Sequence, residues 1–120
     1  MRIAGCNDCH TPGYRVKAGN VDESYWLTGH RLGWQGPWGT TYASNLRLTM
    51  QRMTLTEWLQ NARQPKKPPM PWFALRDMTD EDLASIYHYV RALGPAGTAA
   101  PPYVASGYKA QTPVVQLLAY

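Results

Sequence analysis

The chain reads as all-α, with three to four short helices set among long loops. Three observations predict this. Apolar residues recur at three- and four-residue spacing in two stretches, one ending near Arg63 and one near Leu93. Ten prolines and ten glycines in 120 residues assign much of the remainder to turns and irregular segments. The run Cys6-Asn7-Asp8-Cys9-His10, close to the N-terminus, then gives such a loop-rich chain something to close around. The length fits one domain, divided here into residues 1–94 and a C-terminal extension, 95–120, that packs on the domain or docks on a partner.

Taken in order, Ile3, Cys6 and Cys9 fit one short helix, stopped by Pro12-Gly13. Residues 14–44 are dominated by breakers (Gly19-Asn20, Gly29, Gly33, Gly36-Pro37, Gly39) and read as an extended loop anchored by the rings of Trp34, Trp38 and Tyr42. Thr54 or Thr56 caps a helix whose apolar face is Leu55, Trp58, Leu59 and Ala62, with Gln64-Pro65 ending it. In Pro65-Lys66-Lys67-Pro68-Pro69-Met70-Pro71-Trp72 the backbone is stiff and can be neither helix interior nor central strand, so Met70 projects from a fixed place. Thr79 starts the clearest helix. Asp80, Glu81 and Asp82 in its first turn favour the helix dipole, its stripe is Leu83, Ile86, Tyr87, Val90 and Leu93, and Gly94-Pro95 closes it. The tail has no periodicity until Val114-Val115-Gln116-Leu117-Leu118, a run too short to cross a membrane.

The chemistry concentrates in the first ten residues. Two cysteines two residues apart, followed at once by histidine, let each thiol add to a vinyl group of one haem while the imidazole ligates the iron from below. Three other readings compete. A zinc site needs two further ligands, and the remaining histidines, His30 and His88, form no paired motif. A thioredoxin-like couple wants a βαβ context, and a structural disulfide across so tight a loop constrains little unfolded chain. One such motif predicts one haem c, covalent through Cys6 and Cys9. Five Trp and eight Tyr against one Phe suit a flat apolar ring with a polar edge. The formal charge of +4 is spread too evenly to argue for nucleic acid, and suits an acidic redox partner.

With His10 as one axial ligand, the other decides whether the iron carries electrons or meets a small molecule. Among Met1, Met50, Met53, Met70 and Met78, the proline setting favours Met70. Met78, just before the cap Thr79, suits a hydrophobic staple, and Met50 and Met53 suit ordinary core packing. His30 reads as a satisfied loop histidine, and His88 falls off the apolar stripe.

CNDCH, a glycine- and tryptophan-rich middle, PPMPW and MTDEDLASIYHYVRAL together resemble a class I c-type cytochrome over most of residues 1–94, of the mono-haem bacterial kind associated with periplasmic dehydrogenases. The resemblance implies a small all-α cytochrome c fold wrapped around the haem, its first and last helices crossing beside the ring, with Ile86, Tyr89 and Val90 at that contact. It implies Cys6 and Cys9 as thioether positions and His10 and Met70 as the iron ligands. Tyr42-Ala43-Ser44-Asn45-Leu46 resembles the family's YSPNL stretch, although Arg47-Leu48-Thr49 departs from the family's next residues, and Trp38, Tyr42, Asn45 and Arg47 become candidates for the propionates. Trp58 and Pro69 complete the expected haem contacts.

The expectation is therefore a non-enzymatic electron carrier between a periplasmic dehydrogenase and a respiratory-chain acceptor, with a leader absent from the sequence and no transmembrane segment. Two alternatives accompany it. One is a cytochrome subunit of a larger redox assembly or oligomer, docked by residues 101–120; the other is a haem enzyme with an open or labile sixth site.

Overall fold

A computed structural model describes residues 5–117. In order, its elements are α1 (Cys6–His10), β1 (Gly33–Gly36), β2 (Gly39–Tyr42), α2 (Leu46–Arg52), α3 (Leu55–Ala62), α4 (Trp72–Arg76), α5 (Asp80–Leu93) and β3 (Val114–Gln116), with a 3-10 turn at Glu23–Tyr25. The architecture is mixed α/β, which overturns the all-α expectation. Five helices lie beside a three-stranded sheet of order β2-β1-β3. β1 and β2 pair antiparallel, with Gly33 opposite Tyr42 and Gly36 opposite Gly39, and β3 joins β1 in parallel, with Gly33 opposite Val114.

The segment expected to be one extended loop therefore contains a hairpin. Pro37 and Trp38 form its two-residue turn, and the Trp38 ring lies over Gly36 where a Cβ would stand. Glycine at both ends of a four-residue strand removes the alternation by which strands are read, although Trp34, Thr40, Thr41 and Tyr42 between them are good strand formers. The third strand comes from the tail. Its Val114 is half-buried and Val115 outward, so this part of the apolar run is spent on sheet pairing, while Leu118 lies outside the described residues.

The helical side follows its sequence closely. Thr54 and Glu57 form a reciprocal capping box at the start of α3, and the Thr79 hydroxyl accepts from Asp82 N at the start of α5. Leu83, Ile86, Tyr87 and Val90 of α5 are buried and His88 is exposed. They meet Met50 of α2, Trp58 and Ala62 of α3, Leu75 of α4 and Leu27 in one core, with Met53 and Met78 packed against it. Among the described residues the principal neighbours of α5 are α2 and α3, and Cys6 of the first helix packs against the same core.

Two helices were not expected. α2 begins at Asn45, whose side chain accepts from Leu48 N, and ends before Met53. Its Arg47 is buried and gives its guanidinium to the carbonyls of Gly94, Leu93 and Ser24. A cation thereby closes the C-terminus of α5, where the helix dipole favours one. α4 begins directly after Pro71, as proline's tolerance of a helix start allows.

Candidate haem-binding site

α1 is a single helical turn and a half, opened by Gly5 in a left-handed conformation (φ 66°). At a spacing of three, Cys6 and Cys9 lie on one side of it. Both are free thiols and half-buried. Burial pushes both thiols above their ordinary value, so they are protonated at neutral pH. A thiol–disulfide catalyst is favoured by the opposite shift. Among the described residues no three His, Cys, Asp or Glu side chains gather to hold a metal ion, so the zinc reading lacks its further ligands.

His10 is the most constrained residue of the motif. It is 8% exposed, and its ring Nδ1 lies 2.8 Å from the Ser44 carbonyl oxygen. A carbonyl can only accept, so Nδ1 carries the proton and Nε2 carries the lone pair. Burial pulls the imidazole below its ordinary value, against the opposing effect of the Ser44 bond, and keeps it neutral. The backbone locks the same corner. His10 O accepts from Gly29 N at 2.7 Å, and the Thr11 hydroxyl donates to Asn7 Oδ1 at 2.6 Å while accepting from Leu27 N at 2.8 Å.

His30 provides the contrast. Its Nδ1 accepts from Leu32 N at 2.8 Å, so in the neutral ring Nε2 holds the proton and has no lone pair to give. Of these two histidines, only His10 has its Nε2 lone pair left for a ligand by the bond that its Nδ1 makes. Cys9 opens on a cavity of about 270 Å³ whose wall includes Tyr14, His30, Leu32 and Trp34. A second cavity, of about 440 Å³ between the sheet and the tail, is lined by none of the expected cofactor-binding residues.

Met70 stands outside any helix, half-buried and packed against the core to which Cys6 also packs. Its amide donates to Lys67 O at 3.3 Å, and its carbonyl accepts from Trp72 N at 2.8 Å. The Thr41 hydroxyl reaches across from β2 to Pro68 O at 2.7 Å. Thr41 and Ser44 therefore hold the methionine loop and the histidine ring from one short stretch of backbone, three residues apart and no more than about 11 Å long.

The remaining expected contacts divide. Trp58 is a core residue, 4% exposed, with Nε1 donating to Leu83 O at 2.8 Å. Trp38 and Pro69 are half-buried, at the hairpin turn and in the methionine loop. Tyr42 shares a hydrogen bond with Thr112 Oγ1 at 2.7 Å, and Asn45 Nδ2 donates to Ala96 O and Thr98 O at 2.8 and 2.9 Å. With Arg47, these two point their polar groups at the tail and the end of α5. Met1 lies outside the described residues. Sequence reasoning missed Ser44 and Thr41. A backbone carbonyl carries no residue signature, so Ser44 had none to find, whereas the Thr-Thr-Tyr run offered a strand signal for Thr41.

No protein-family model, curated protein or solved structure matches the chain. The reading of the site rests on its own chemistry. A buried imidazole with the proton on Nδ1, two free thiols on one helical face and a thioether held in a stiff loop fit the donor set of a c-type haem. A tetrahedral zinc would need ligands beyond this pair of thiols, and among the described residues no group of three His, Cys, Asp or Glu gathers to supply them.

Proposed function

We propose that this chain is an electron carrier that holds one haem c covalently through Cys6 and Cys9, with His10 and Met70 as axial ligands, in the manner of class I c-type cytochromes. The observation that carries the reading is the His10 tautomer. The Ser44 carbonyl fixes the proton on Nδ1 and so supports Nε2 as the ligand.

When bound, a haem supplies one-electron chemistry between ferrous and ferric iron. The chain's own residues do the rest. His10 stays neutral and fixed in orientation by Ser44 and Gly29, so its ring need not move between oxidation states. Met70, held by the turn to Lys67 and by Thr41 on Pro68, would offer its thioether as the second iron ligand, which favours the ferrous state. The partners are redox proteins: a dehydrogenase as donor and a respiratory-chain protein as acceptor, outside the cytoplasm where such haems are attached. No helix among the described residues is long and apolar enough to cross a membrane.

Absorption spectra of the oxidised and reduced protein test this. The expected result is a low-spin six-coordinate haem in both states, with slow carbon monoxide binding. A five-coordinate ferrous spectrum with rapid carbon monoxide binding would instead indicate an open site and a haem enzyme.

A further inference from the structure

The tail crosses the hairpin and the methionine loop at one point. Val104 pairs with Thr40 through two backbone hydrogen bonds, Thr40 N to Val104 O at 2.8 Å and Val104 N to Thr40 O at 2.9 Å. One residue earlier, the Tyr103 hydroxyl donates to the Trp38 carbonyl, and Lys67 Nζ sits 4.7 Å from the centroid of the Tyr103 ring. Gly39 makes the approach possible. Its φ is 111°, and a Cβ there would overlap the Val104 carbonyl and stand 2.8 Å from the Tyr103 hydroxyl. Tyr103 thus touches the hairpin turn and the loop of Met70 together.

Lys67 joins this contact to the candidate ligand. Its carbonyl accepts the Met70 amide and closes the turn that presents the thioether, while its side chain is the one that Tyr103 holds. Thr41 grips the next residue, Pro68, from the same hairpin. Neighbouring Lys66 is employed differently, donating to Asn61 O and Gln64 O at the end of α3.

We propose that Tyr103 is a positioning residue for Met70. Acting through Lys67, its ring holds the turn from Lys67 to Met70 against the hairpin and fixes where the thioether is presented. The inference rests on the reading of Met70 as axial ligand. It gives the tail a task within the site: keeping the sixth position closed.

The test uses the full haem-loaded chain and four variants: Tyr103→Leu, Lys67→Gln, the two combined, and Lys67→Arg. Two readouts are taken, the rate of carbon monoxide binding to the ferrous protein, which requires Met70 to leave the iron, and amide hydrogen exchange at Met70. Lys67→Gln should raise both by about two- to fivefold, the range for one exposed cation–aromatic contact. Tyr103→Leu, which also loses the Trp38 hydrogen bond, should raise both by about tenfold. The double variant should be no worse than Tyr103→Leu alone, because the two residues act in series, and Lys67→Arg should stay close to wild type. The proposal is overturned if either single variant leaves both rates unchanged, if the double variant multiplies the two effects, or if only the melting temperature moves. Absence of covalent haem from the purified chain would sink the proposed function instead, and exchange at Met70 would still decide whether Tyr103 holds the loop.

Discussion

The helical side of the molecule and its sheet-and-tail side are held by different bonds. On the helical side, α2, α3 and α5 bury Met50, Trp58, Ala62, Leu83 and Val90 almost completely, so non-directional apolar burial is the main cohesion. On the other side, the strands are short, β1 and β2 begin or end in glycine, and the tail is tied by individual hydrogen bonds from Tyr42, Asn45, Thr40 and Tyr103. The candidate site lies at the seam. Its cysteine helix and methionine rest on the core, while Ser44 and Thr41, which hold the His10 ring and the methionine loop, belong to the hairpin and its continuation.

The contrast breaks most visibly in the core. Leu83→Ala should cost about 2–5 kcal/mol, because Leu83 has no exposed surface and its neighbours can close only part of the cavity left behind. Urea unfolding followed by circular dichroism should show a lower midpoint at unchanged slope. A loss below about 1 kcal/mol would mean that the helical side is not the principal source of stability. Next in size, Gly39→Ala should cost roughly 1–3 kcal/mol by forcing a side chain into a left-handed position already filled by the tail. Its signature should be local: faster amide exchange at Thr40 and Val104 and early proteolysis of the tail, with α5 still protected. Equal loss of protection in α5 would show that the two sides unfold as one.

The smallest effect probes a single helix end. The Thr54 backbone and side-chain hydrogen bonds hold the Glu57 carboxyl below its ordinary value. A carboxylate shifted down binds fewer protons folded than unfolded, so its contribution is present above the ordinary carboxylate range and is lost as pH falls through its folded value. Glu57→Gln keeps the capping geometry without the titration. The wild-type advantage in urea midpoint should be present at pH 7 and should shrink as pH drops below about 4. A gap that stays constant down to about pH 3 would contradict the sign.

The same contrast explains what could be read in the sequence. α3 and α5 were legible because caps, stripe and terminators agree along one local stretch, as Thr54 to Ala62 and Thr79 to Gly94 show. α2 was not, because Arg47 stands buried where an apolar residue would mark the face, and its partners are carbonyls of a distant helix end. The sheet was hidden twice, by glycines that erase alternation and by a third strand, Val114–Gln116, that lies beyond all five helices in the chain yet pairs with β1. At the candidate site, Cys6, Cys9, His10 and Met70 were singled out by their own side-chain chemistry. What orients them comes from backbone carbonyls and one threonine hydroxyl, which only the folded chain brings within reach.

The most direct test of the account is the intact mass of the chain exported to a compartment that attaches haem, purified and treated with a thiol-alkylating reagent. The account predicts the mass of the polypeptide plus one haem, with neither Cys6 nor Cys9 alkylated. A chain of bare polypeptide mass carrying two alkylated cysteines would contradict it.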